Sequence, residues 1–144
     1  PLATLQATLA DNPAGGQDLW YARLYLFKPV LFGIISLFWI TSGLVALIRF
    51  DASAAHLAAV GASSATAFLL TAATGLVDIA LGLAVAVRRF AVPALVAMIG
   101  VSLAYLVAAT VLAPALWADP LGALVKVLPS IVLAGVALAI FEER

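Results

Sequence analysis

The sequence contains no cysteine, which removes disulfide staples, thiolate metal sites and dithiol exchange from consideration. Charge is nearly as scarce: 10% of residues are charged, against about a quarter in an ordinary soluble domain. Seven Lys and Arg balance seven Asp and Glu. They are scattered, so no basic field exists to attract nucleic acid, and that function class is excluded. The one histidine, His56, cannot supply the paired axial ligation of a membrane b-type haem, and without acid clusters no metal site is expected. No GxGxxG, P-loop or other phosphate-cradling run occurs. No secretory cleavage pattern follows the first apolar run. In "VSLAY" no base stands within helical reach of Ser102, so nothing would activate it as a hydrolytic nucleophile.

Apolar side chains are what the chain has in excess. Hydrophobic residues make up 66% of it and its mean hydropathy is +1.22, a composition that belongs in a bilayer. Crossing ~30 Å of hydrocarbon takes about 20 mostly apolar residues at 1.5 Å each. Four stretches qualify, at about 29–48, 66–87, 91–112 and 121–140. Their runs are continuous rather than alternating, which argues against a barrel. The fold expected is an all-α membrane protein, a four-helix transmembrane bundle. "FDASAAHLAAVGASS" between the first two spans is too short and too broken by Gly61 to cross. It reads as a short helix on the outer face, capped by Asp51 or Ser53.

The first 28 residues differ. They begin without Met, and Asn12-Pro13 with Gly15-Gly16 reads as a turn or linker, as if cut from something longer. In "QDLWYARLYLFK" Trp20, Leu24 and Phe27 fall at helical spacing beside Arg23 and Lys28, as in an amphipathic segment at the headgroup level. The alternative is an extension of the first helix. The division expected is therefore a linker and interfacial segment over 1–28 and a transmembrane domain over 29–144. Arg23, Lys28, Arg88, Arg89 and Arg144 gather on one side of such a bundle and leave Arg49 and Lys126 for the other. The positive-inside rule then makes both termini cytoplasmic, consistent with a bacterial inner membrane.

Polar groups inside the spans are the candidates for chemistry. An ionised Asp at mid-bilayer costs roughly 2.5–3.5 kcal/mol on insertion scales, so Asp78 is expected to face protein. Thr71, Gly75, Asp78 and Gly82 are spaced four, three and four apart, a small and polar stripe along one helix face. Counting along the helices puts Asp78 about 18 Å below the outer surface, Ser102 about 14 Å and Lys126 about 7 Å. The preferred partners of Asp78 are thus Ser102 or the indole of Trp39, with the carboxyl neutral or hydrogen-bonded. Lys126 sits higher with Thr71 and Tyr105, its ammonium turned to the interface. Asp78, Tyr105, Lys126, Trp39 and Ser102 are the candidates for ligand or proton handling. The plainer reading makes Asp78 a buried pin that sets helix register, Tyr105 and Trp39 packing residues and Lys126 a snorkelling side chain.

Three blocks, "LWYARLYLFKPVLFGIISLFWITSGLVAL", "TGLVDIALGLAVAVRR" and "LAPALWADPLGALVKVLP", together resemble the DoxX-like membrane family. The branch resembled forms the C-terminal membrane domain of short-chain-dehydrogenase-like, NAD(P)-binding oxidoreductases. The resemblance implies a four-helix membrane bundle, often fused behind a soluble Rossmann domain and often linked to redox metabolism, without an established reaction for the membrane part. This sequence holds no nucleotide-binding domain, so any dehydrogenase activity is expected in a missing region or a partner. Two function classes remain. One is a redox-associated membrane domain that anchors an NAD(P)-dependent partner and takes a quinone-like or lipid ligand between helices. The other is a non-catalytic accessory subunit whose small-residue faces contact other subunits of a membrane complex.

Overall fold

The computed structural model describes residues 15–118 and 124–141. Among these the chain is helical, with no strand. The helices are α1 (Gly16–Ile48), α2 (Phe50–Ala59), α3 (Ser64–Ala86), α4 (Arg88–Leu112) and α5 (Val127–Ala139), with a 3₁₀ turn at Pro114–Ala118. Three of them, α1, α3 and α4, are long and apolar enough to cross a membrane. α1 packs most extensively on α3, α3 on α4, and α4 on α5, which returns to α1, so that α1 and α4 stand diagonally opposite.

The connections are made by local chemistry. α1 gives way to α2 at Arg49 alone, whose N–H bonds the Val45 carbonyl at 2.9 Å and whose own carbonyl accepts from Ser53 N–H at 2.9 Å. No side chain caps α2. Asp51 and Ser53, expected in that role, lie within the helix, where Asp51 complements the positive end of the dipole in the first turn. α2 stops at Gly61, the one glycine among the described residues at positive φ (96°). Its N–H returns to Ala58 O and that of Ala62 to Leu57 O, the paired bonds of a Schellman stop. Ser63 then caps α3 by accepting from Thr66 N–H at 3.2 Å. Between α3 and α4 a single extended residue, Val87, makes the turn.

Two expectations change here. The boundary placed at 28/29 is not a break, because α1 runs unbroken through Pro29. The segment 16–28 extends the first helix, and α1's 33 residues span about 50 Å, well beyond the hydrocarbon thickness. The fourth apolar stretch, expected as a helix from 121, becomes α5 only at Val127; 119–123 lie outside the described residues. Pro129 falls in the first turn of α5. A helix begun at 121 would carry Pro129 in its interior, at a cost of ~3 kcal/mol, whereas in the first turn its missing N–H has no partner to lose. The resulting 13 residues of α5 are about 20 Å long.

The apolar core is built from Ile35 and Trp39 of α1, Val85 of α3, Ala94, Leu95 and Met98 of α4, and Ala134 and Ala137 of α5. Leu95 and Met98 are its fully buried large side chains. Alanines on α4 and α5 let the backbones approach where Trp39 and Met98 supply the volume. At the same end of the bundle Lys28 Nζ donates to the Phe141 carbonyl at 3.1 Å, satisfying one acceptor just past the end of α5.

Candidate functional site

The site grows from the closest helix pair. Thr71, Gly75, Asp78 and Gly82 are all buried on one face of α3, and that face meets α1. At Gly43 a side chain would collide with the Gly75 carbonyl and with Ile79. At Gly82 it would come within 2.7 Å of Ile40 Cγ1 and 2.9 Å of both the Ile40 nitrogen and the Ser36 carbonyl. Glycine is needed at these positions because backbone faces backbone. Ser36 uses the closeness, its Oγ donating to the Gly82 carbonyl at 2.7 Å.

Two turns of small residues thus set the depth of α1 against α3, and Asp78 falls between them. Its Oδ2 accepts from Ser42 Oγ of α1 at 3.1 Å, and its Oδ1 from the Tyr105 hydroxyl of α4 at 3.4 Å. The carboxyl is therefore held by hydroxyls from two helices that stand diagonally across the bundle. Asp78 itself is 7% exposed, whereas Tyr105 is 37% exposed and Ser42 is also exposed. The carboxyl is buried, and the two residues that bond it are exposed.

The expected partners of Asp78 are replaced. Ser102 is buried on α4 and Trp39 belongs to the apolar core; neither bonds the carboxyl. The reason is side-chain direction. A tyrosine on a helix leans toward the N-terminus and carries its hydroxyl past the turn below its own Cα, so Tyr105 reaches a carboxyl that depth counting had matched to Ser102. On α1 the register set by Gly43 brings Ser42 alongside, one turn beyond Trp39. Lys126 is exposed immediately before α5 and is not what holds Asp78. Thr71, at the far end of the stripe, is 2% exposed and its hydroxyl has no partner among the described residues.

Ser36 carries weight that sequence reasoning did not assign it, and Ser42, legible only as one of the polar groups of the first span, proves to be the one that bonds Asp78. The available signal was Ser36 and Gly43, seven residues apart on α1 and so on one face, complementary to the stripe on α3. Among the described residues no group of three or more His, Cys, Asp or Glu gathers in metal-binding geometry. What the site offers is one carboxyl able to exchange a proton and two hydroxyls able to donate or accept.

The stretch that builds this site, residues 36–135, matches the family model of the DoxX-like family. The chain belongs to the DoxX-like family. Ser36, Ser42, Gly43, Asp78, Gly82 and Tyr105 all fall within the matched residues, as do α3 and α4 entire. No curated protein and no solved structure matches the chain. Family and apolar helices together make this DoxX-like protein a membrane protein with the bilayer as its surroundings.

Proposed function

We propose that this DoxX-like chain is a four-span membrane domain serving redox metabolism, which holds a quinone-like ligand against Asp78 and anchors an NAD(P)-dependent oxidoreductase domain or partner. The observation that carries the reading is a buried carboxyl bonded by two hydroxyls, Ser42 and Tyr105, that belong to residues exposed at the bundle surface. Polar groups open to hydrocarbon are expensive unless matched, and a flat headgroup bearing two oxygens matches them while its chain stays in lipid. Asp78 then gives or takes the proton, Tyr105 and Ser42 orient the headgroup, and reducing equivalents belong to the partner. The resemblance of "ARLYLFKP" and "DPLGALVKVLP" to the branch fused to short-chain-dehydrogenase-like domains supports that partner. In this reading α5 and the residues before it form the fourth span, and the end bearing Lys28, Arg88 and Arg89 is cytoplasmic in a bacterial inner membrane. The accessory-subunit reading loses one support, since the small-residue stripe it would offer to neighbours is occupied by α1 within the chain.

A short-chain benzoquinone added to the purified chain in detergent should raise its unfolding temperature. Asp78→Asn, an amide-for-carboxyl exchange, should leave stability within about 1 kcal/mol of wild type yet abolish that rise, while Asp78→Leu should cost about 1–3 kcal/mol by stranding Ser42 and Tyr105. No rise with wild type, or an undiminished rise with Asp78→Asn, refutes the ligand site. An Asp78→Leu chain as stable as wild type refutes the hydrogen-bonding account beneath it.

A further inference from the structure

A second feature lies where α3 passes into α4. A groove of about 1090 Å³ opens between α1, the α3–α4 junction and Phe141, larger than the roughly 300–1,000 Å³ of ordinary small-molecule pockets. Aromatic rings line it, Tyr21, Tyr25 and Phe32 from α1 with Phe141 opposite, and two cations stand on it, Lys28 and Arg88. Lys28 is fixed in place, its Nζ 3.1 Å from the Phe141 carbonyl and 5.7 Å from the ring centroid. Among the described residues one of its three donors is used there.

Arg88 is the first residue of α4 and is exposed. A guanidinium at a helix N-terminus adds to the positive end of the dipole instead of opposing it, so α4 alone gains nothing from this placement. An anion between Arg88 and Lys28 removes the conflict and meets both charges, with bidentate bonds to the guanidinium. Arg89 is the natural contrast. It lies 5.8 Å over the Phe90 ring and does not line the groove.

We infer that this groove is a binding site for an anionic phospholipid, its phosphate between Lys28 and Arg88 and its acyl chains against Phe32 and the neighbouring apolar surface of α1. Charge complementarity selects the headgroup. The aromatic walls select an amphiphile over a soluble anion, and tyrosines at that level suit the headgroup boundary. The site is separate from Asp78 and stands whether or not a quinone-like molecule binds there.

The test is to titrate the purified full chain with phosphatidylglycerol and with phosphatidylcholine of identical acyl chains, reading bound lipid by native mass spectrometry. Phosphatidylglycerol should bind preferentially. Arg88→Gln should weaken it by about fivefold, the effect of one basic residue at an anionic surface, and Arg89→Gln should leave it unchanged. Lys28→Gln should weaken it likewise; because Lys28 also caps Phe141, Arg88→Gln carries the decision if that variant fails to fold. Millimolar inorganic phosphate should not displace the lipid. Equal binding of the two lipids, equal losses at Arg88 and Arg89, or displacement by phosphate alone would each overturn the assignment.

Discussion

Replacing Gly43 with alanine adds one methyl group where α1 and α3 touch, and the cost can be worked from its surroundings. The new carbon would sit 2.8 Å from Ile79 Cγ1, 3.0 Å from the Ile79 nitrogen and closer still to the Gly75 carbonyl oxygen. Two of those three atoms are backbone and cannot swing aside, so α1 must retreat by about half an ångström or more, an overpacking worth ~1–3 kcal/mol. The retreat also stretches the Ser36–Gly82 and Ser42–Asp78 bonds, 2.7 and 3.1 Å as they stand, each contributing ~1 kcal/mol. Alanine's better helix propensity returns ~1 kcal/mol. The net expectation is a loss of about 2–4 kcal/mol if both bonds are lost. Gly100 of α4 is the control, because nothing lies within 4 Å of a methyl added there. Gly100→Ala should therefore be neutral or stabilising by up to ~1 kcal/mol. Unfolding of both variants in detergent, followed by circular dichroism against wild type, measures the difference. A Gly43→Ala chain as stable as wild type, or a Gly100→Ala chain that loses as much, would refute the close-packing account.

Thr71→Val keeps the shape of a buried side chain while deleting its unpaired hydroxyl, and should raise stability by about 1 kcal/mol in the same assay; a loss instead would mean that the hydroxyl has a partner in the membrane. For topology, cysteines placed singly at His56 and Arg89, both exposed, should react with an impermeant reagent from opposite sides of the intact cell. Labelling of both from one side would exclude an odd number of crossings between them and with it the four-span arrangement.

The buried stripe of α3 was legible because one helix carries all of it. Spacings of four, three and four place Thr71, Gly75, Asp78 and Gly82 on one face whatever packs there, and each is buried. The partners were not legible, since they depend on how three helices are set in depth. Counting residues from assumed span ends put Ser102 opposite Asp78, yet the register comes from Gly43 against Gly75 and from the downward reach of Tyr105. Neither the late start of α5 near Pro129 nor the continuity of α1 through Pro29 was readable. A proline tolerated in a helix interior looks in sequence just like one that opens a helix.

The single-residue joints at Arg49 and Val87 bear on how such a bundle can move. With no slack between them, α3 and α4 cannot slide past one another along their axes; the connection is a pivot. A tilt of α4 away from α3, which would lengthen the Tyr105–Asp78 bond, would turn about Val87, and Arg88, the next residue, would turn with it. A spacer of two or three glycines inserted at Val87 would leave each helix intact while adding slack to that joint.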